Sequence, residues 1–146
     1  MNKALFRMIG MLALALMAAT QTVRAQELRV SVPFTFTAGK TALPAGEYQI
    51  QKPAGDSPAL LIQRTDGSAA VILISFAASP KEEHVQSRLV FHHYGDHYFL
   101  AQVWRADASR GRQFPVTAQE KEQALALRNQ TRNQVVIAAS ITLPKP

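Results

Sequence analysis

Three of the four histidines in this 146-residue chain lie within six residues, in the segment HHYGDH that spans 92–97. Imidazole nitrogens and carboxylate oxygens are common metal ligands, so this spacing is a candidate for a metal site. If the Gly-Asp dipeptide forms a two-residue turn between two strands, side-chain alternation places His92 and His97 on one face and His93 on the other. His92 and His97, with Asp96 as a third donor, are therefore the candidate metal ligands.

Two imidazoles and one carboxylate are a weak match to known metal sites in proteins. A structural zinc site has four protein ligands, and a catalytic zinc site has three. A polar hairpin face with exposed imidazoles accounts for the same residues. We therefore predict no bound metal and no other cofactor.

Patterns for nucleophilic or acid–base catalysis are weaker still. Three serines lie near His84 in the sequence: Ser75, Ser79 and Ser87. The Gly-x-Ser-x-Gly turn that exposes a nucleophilic serine is missing, and serines beside turns usually bond backbone groups. Glu82 and Glu83 form a charged loop next to a lysine. The sequence thus predicts a protein that is not an enzyme, with a hydrolase whose site the spacing does not reveal as an alternative.

Trp104 is the single tryptophan of the chain and ends a predicted strand. An indole ring at the mouth of a β-barrel can stack on a sugar or contact an apolar ligand. Trp104 is therefore the candidate ligand-binding residue, and packing in the core is the alternative. A carrier for a small apolar ligand or a metal is the corresponding alternative function.

Seven segments show the two-residue period or the apolar runs that are typical of β-strands. They are residues 28–36, 47–52, 59–64, 69–76, 87–94, 97–104 and 134–143. Because residues 71–74 are apolar on both faces, we expect their strand to be central. The dipeptides Asp66-Gly67 and Gly95-Asp96 predict two-residue hairpin turns, since glycine readily adopts the positive φ of these turns.

One helix is predicted, within residues 117–130. Thr117 and Glu120 form the Thr-x-x-Glu capping box, and strong helix formers follow them. The predicted fold is mainly β: an antiparallel sandwich or partly open barrel of six to seven strands, with one helix before the last strand.

The first 25 residues have the pattern of a secretory signal peptide rather than of a folded segment. Lys3 and Arg7 precede an apolar run over residues 8–19, and small residues at Val23 and Ala25 suit a signal peptidase. The run is short for a membrane anchor, which needs roughly 20 apolar residues. We predict a signal peptide over 1–25, a single β-rich domain over 26–146 without a stable membrane span, and a periplasmic or secreted bacterial protein.

Charge and cysteine content limit the classes of partner. The chain has no cysteine, which excludes disulfide scaffolds, thiolate zinc sites and thiol nucleophiles. The formal net charge of +6 falls to +3 if Lys3, Arg7 and Arg24 leave with the signal peptide. Basic residues gather late in the chain, among them Arg105, Arg110, Arg112, Lys121 and Arg128.

This late basic cluster has two interpretations. It is either a patch for anionic envelope polymers or lipid head groups, or an ordinary solvated surface. No aromatic residues are interleaved with it in the way that nucleic-acid binding favours. The expected partner is therefore an envelope or extracellular component of unknown identity, and not nucleic acid.

Two longer motifs carry a resemblance to known proteins. The segments VPFTFTAGKTALPAGEYQI (32–50) and LVFHHYGDHYFLAQVW (89–104) resemble a group of small exported proteins from soil bacteria, many of them Acidobacteria. The resemblance covers most of the domain and implies architecture rather than chemistry. It implies that Pro44 with Gly46 and Gly95 with Asp96 shape turns. It also implies packing roles for five aromatic residues: Phe34, Phe36, Tyr48, Phe99 and Trp104.

Overall fold

The computed structural model describes residues 27–52, 57–81, 85–127 and 133–142. This part of the chain contains eleven strands and one helix. The strands are β1 (Glu27–Val32), β2 (Phe36–Ala38), β3 (Thr41–Leu43), β4 (Gly46–Gln51), β5 (Ala59–Arg64), β6 (Ala70–Ile74), β7 (Phe76–Ala78), β8 (Arg88–Tyr94), β9 (His97–Trp104), β10 (Gly111–Gln113) and β11 (Asn133–Thr142), and the helix is α1 (Ala118–Ala126). The predicted signal peptide lies outside the described residues. Within them, no helix has the length and apolar character that crossing a membrane requires.

The strands form one nearly closed, barrel-like sheet. Its main path runs β3-β2-β9-β8-β11-β1-β4-β5-β6. After Ser75 the chain continues from β6 into β7, which pairs with β10, and β10 pairs with β9. This second route joins the two sides of the sheet. Pairing is antiparallel except between β2 and β9. The prediction of a mainly β fold with one helix before the last strand is confirmed.

The predicted number of six to seven strands is wrong. Four of the eleven strands, β2, β3, β7 and β10, contain only three residues each. Such segments are too short to show a two-residue period, so they become strands only through their partners. The predicted strand over 28–36 also divides into β1 and β2 on either side of Pro33, which has no N–H to donate to a ladder.

Alternating apolar residues of the long strands fill the interior of the barrel. The buried core consists of Leu28, Val30, Val32, Phe36, Ala38, Leu43, Tyr48, Ile50, Leu60, Ile62, Leu89, Phe91, Leu100 and Val103. Phe34 packs against this core, with its ring 5.0 Å from that of Phe91. The apolar residues that alternate along β1 thus face the interior, and burial of the whole apolar core is the main force that holds the sheet together.

The central position predicted for the strand over 69–76 is wrong. Within the described residues β6 pairs only with β5, and Ile72 and Ile74 are 64% and 56% exposed. Val71 and Leu73, on the other face, pack against the core. A strand with apolar residues on both faces is therefore not necessarily central. Its position in the sheet depends on which other strands pair beside it.

In the segment LPAGEY, the tyrosine side chain bonds back to the bend that precedes it. Pro44 and Gly46 lie at the bend between β3 and β4, and the Tyr48 hydroxyl donates a hydrogen bond to the Pro44 carbonyl at 2.5 Å. The Tyr48 ring is buried against Phe36, with ring centroids 5.2 Å apart. Burial raises the pKa of Tyr48, although nearby Arg64 partly opposes the shift. The tyrosine thus fixes the bend from inside the barrel.

Next to the turn, the hairpin of β8 and β9 has the predicted register, and a bulge between Val90 and Phe91 shifts the pairing by one residue farther along. His92 pairs with Phe99, His93 with Tyr98, and Tyr94 with His97. Gly95 has a φ of +55°, whereas Asp96 does not have a positive φ. This combination fits a two-residue turn of type II′, in which only the first central residue is left-handed.

The turn predicted at Asp66-Gly67 is longer than two residues. The strands β5 and β6 end and begin at Arg64 and Ala70, so residues 65–69 form the connection. The Gly67 N–H donates to the Arg64 carbonyl at 2.9 Å, and Gly67 has a φ of +77°. The Asp66 side chain accepts from the Ser68 N–H at 2.9 Å, and hydrogen bonds from Ser68 lower the pKa of this carboxyl. The dipeptide marks the hairpin correctly but not its turn type.

Replacing Gly95 with valine should lower the free energy of unfolding by more than about 1 kcal/mol, because a β-branched residue is strained at this φ. A Cβ at this position would also lie 3.3 Å from Cδ1 of Leu127, just after α1. Urea unfolding followed by circular dichroism measures the change. Gly67→Val is the comparison, because no described atom lies within 4 Å of its Cβ position. Unchanged midpoints in both variants would contradict the turn assignments.

Candidate functional site

A pocket of about 680 Å³ opens at one end of the barrel. Its walls come from the end of β4, the start of β5, β7, the end of β9, the connection that follows β9, and β10. These segments are distant in sequence and meet because antiparallel strands bring the end of one strand beside the start of the next. The aromatic stack of Phe34, Tyr98 and His93 lies near the other end of β9.

The floor of the pocket is apolar and continuous with the barrel core. Ile50, Leu60 and Val103 line it and are 2%, 5% and 2% exposed, respectively. All three belong to the core cluster described above. An apolar group that enters the pocket would therefore be packed against the core and removed from water, which is the usual source of affinity in small-molecule sites.

The rim of the pocket is charged and mainly positive. Among the described residues, it carries four cations, Lys52, Arg105, Arg110 and Arg112, and one carboxylate, Asp107. Arg105 donates two hydrogen bonds to Asp107, at 3.0 Å and 3.1 Å. These bonds lower the pKa of Asp107, so this carboxylate remains charged at neutral pH. The rim thus has an excess of positive charge beside an apolar floor.

A second polar cluster lies where α1 packs on β8. Oε1 of Glu120 accepts hydrogen bonds from Nδ1 of His92 at 2.6 Å and from the Tyr94 hydroxyl at 3.1 Å. Glu120 is only 5% exposed, and it is the one buried residue of α1. A buried carboxylate is stable only where hydrogen bonds replace its hydration. The arrangement therefore attaches the helix to the sheet, and none of its residues lines the pocket.

The predicted capping box is formed only in part. Oγ1 of Thr117 accepts a hydrogen bond from the Glu120 N–H at 3.2 Å, so the helix begins where the sequence predicts. The Glu120 side chain, however, bonds to β8 instead of returning to the backbone of Thr117. Sequence reasoning missed this partner, because no local pattern connects Glu120 with a histidine 28 positions earlier.

The candidate metal ligands occupy different surroundings. His92 is bonded to Glu120, whereas Asp96 and His97 are exposed at the tip of the hairpin. His93 points to the opposite face and stacks on Tyr98, with ring centroids 4.2 Å apart, as alternation predicts. Among the described residues, no three His, Asp or Glu side chains are grouped closely enough to hold a metal ion. The prediction about metal binding stays a prediction.

Trp104 lies on the outer face of the sheet, where neighbouring side chains bury it. It is 6% exposed and packs with Ala78 and Val90, and its Nε1 donates to the Gln102 side chain at 3.0 Å. Trp104 does not line the pocket, although the neighbouring Val103 and Arg105 do. Its suggested contact with a ligand stays a prediction, and its contacts in the structure are those of a packed side chain.

Two of the three serines considered for catalysis bond backbone groups. The Ser75 hydroxyl donates to the Pro58 carbonyl at 2.7 Å, and Oγ of Ser87 accepts from the Ala106 N–H at 2.9 Å. His84, with Glu82 and Glu83, lies outside the described residues. A pairing of His84 with either serine therefore stays untested.

Comparisons of the chain with models of protein families, with curated proteins and with solved structures give no significant match. Function must therefore be inferred from the geometry of the described residues themselves.

Proposed function

We propose that this protein is an exported, non-enzymatic binding domain that holds a small ligand in the pocket at the end of its barrel. The observation that carries the proposal is the apolar floor of Ile50, Leu60 and Val103 beneath an open rim. Small-molecule sites are concave and mostly apolar, with volumes of about 300–1,000 Å³. The pocket has a volume within this range, and its lining combines these three apolar residues with a charged rim.

The N-terminal pattern supports export. Residues 1–25 have the charged start, the apolar run and the small residues of a signal peptide. The absence of cysteine means that the domain needs no particular redox compartment. The resemblance to small exported proteins of soil bacteria is consistent with a role in the periplasm, at the envelope or outside the cell.

The proposal is tested by titrating the purified protein with Nile red, a neutral apolar dye whose emission increases in apolar surroundings. We expect saturable binding with one dye per protein. Ala77→Phe should weaken this binding at least tenfold, because Ala77 lines the pocket and the added ring would occupy it. A tenfold loss corresponds to about 1.4 kcal/mol.

Ala70→Phe is the matched control, since Ala70 is an exposed alanine on β6 that does not line the pocket. It lies beside exposed Ile72, so it also reports dye that adheres to the outer surface of β6. Non-saturable binding, or an equal effect of the two variants, would overturn the assignment of the pocket.

A further inference from the structure

We propose that the ligand of the pocket is a free single-chain amphiphile with an anionic head, such as a long-chain carboxylate. This inference rests on the proposed function and adds the chemical class of the ligand. The tail would lie on the floor formed by Ile50, Leu60 and Val103, and the head would meet the positive rim.

The distribution of charge at the mouth selects an anion. Of the four cations that the described residues place on the rim, Arg105 is already bonded to Asp107, the one carboxylate that they place there. Lys52, Arg110 and Arg112 form no ion pair with another described residue. The head of a ligand that enters the mouth therefore meets three more positive charges. One lies on β10, one on the segment before β10 and one just after β4.

The type of cation also matters. A guanidinium presents two parallel N–H groups that match a carboxylate or a phosphate, and it loses less hydration on binding than an ammonium does. Arg112 is half-buried, and Arg110 lies two residues before it on the rim. An anion held between them and the apolar floor is partly shielded from water, which strengthens the attraction relative to a fully exposed pair.

The floor argues against other anions. A small inorganic ion has no apolar surface to remove from water, so it gains nothing from the apolar floor. A long polyanion would need a charged track along the surface, whereas these cations gather around one opening. An anionic amphiphile can place its apolar tail on the floor and its negative head at the positive rim at the same time. The same chemistry also occurs in the anionic head groups of membranes, and the experiment below separates the two sources.

The experiment compares ligands that share a tail and differ in the head. Affinities of the purified protein are measured by displacement of Nile red with dodecanoate, methyl dodecanoate and acetate, at pH 8 and below the concentration at which dodecanoate forms micelles. We expect dodecanoate to bind at least about tenfold more tightly than its uncharged ester, and acetate to show no displacement. The double variant Arg110→Gln/Arg112→Gln should abolish the preference for dodecanoate over the ester.

The matched control is Lys40→Gln/Lys121→Gln, which removes the same charge from exposed positions that do not line the pocket. It should keep the full preference for dodecanoate. If both variants lose the preference equally, the effect comes from net charge and the inference about the rim is wrong.

Three other outcomes are informative. Equal binding of dodecanoate and its ester by the unmodified protein would overturn the anionic head while the proposed function stands. Failure of Nile red to bind, together with failure of dodecanoate and its ester to bind in a direct calorimetric titration, would overturn the proposed function itself. Binding to vesicles that contain phosphatidylglycerol, without binding of monomeric dodecanoate, would identify a membrane surface as the partner and overturn the free amphiphile.

Discussion

Replacing Glu120 with alanine should lower the free energy of unfolding by about 3 kcal/mol. A loss of this size is expected when one partner of a buried ionic or charge-assisted contact is removed. The substitution removes the acceptor of two hydrogen bonds, from His92 and from Tyr94. The His92 side chain is only 13% exposed, so water replaces the lost carboxylate poorly. Since Glu120 is the one buried residue of α1, the helix should separate from the sheet before the barrel unfolds.

Glu122→Ala is the matched control, because Glu122 is an exposed glutamate two residues further along the same helix. It has the same effect on helix propensity and should stay within about 0.5 kcal/mol of the unmodified protein. Glu120→Gln keeps a carbonyl acceptor without the charge and should fall between the two. Chemical unfolding gives the free energies, and amide hydrogen exchange shows whether α1 loses protection first. Equal stability of the Glu120→Ala and Glu122→Ala proteins would contradict the role assigned to Glu120.

The second large effect is expected at Gly111. A Cβ there would lie 2.5–2.7 Å from three carbon atoms of the Trp104 ring, which is closer than any normal contact. Because Trp104 is buried, its ring cannot move away without displacing the surrounding side chains. Gly111→Ala should therefore cost about 2–3 kcal/mol, as overpacking of a tightly packed site does. Since Trp104 is the single tryptophan, its fluorescence should also shift to longer wavelength as the ring is exposed.

Gly67→Ala separates this contact effect from backbone strain. Gly67 has a φ of +77° with no described atom near its Cβ position, so alanine there meets strain alone and should cost about 1 kcal/mol. Its tryptophan emission should not change. If Gly111→Ala costs no more than Gly67→Ala and leaves the emission unchanged, then Trp104 does not pack on Gly111 as described.

Short-range features were predictable because short-range forces decide them. The pairing of β8 with β9 beside their turn follows from a two-residue turn with a left-handed glycine, which aligns the residues on either side of it. The start of α1 at Thr117 follows from a side chain that bonds a backbone N–H three residues later. The inward face of β1 follows from alternation of apolar and polar residues.

Long-range features were not predictable, because they depend on which segments meet. The positive rim joins Lys52 with Arg105, Arg110 and Arg112, whereas the sequence shows only a late basic cluster with no apolar floor beside it. The edge position of β6 likewise depends on its pairing with β5 alone among the described residues, which its composition does not reveal.

The sequence by itself determined that this chain is mainly β, that one helix precedes the last strand, and that His92 and His93 point to opposite faces. Turn chemistry, side-chain period and helix capping act over a few residues, so they are written into the local order of the chain. Only the tertiary structure decided that Glu120 bonds His92 and Tyr94, that Trp104 packs outside the pocket, and that the barrel opens over Ile50, Leu60 and Val103. Burial and pairing between distant segments determine these contacts, and such pairs leave no periodic signal along the sequence.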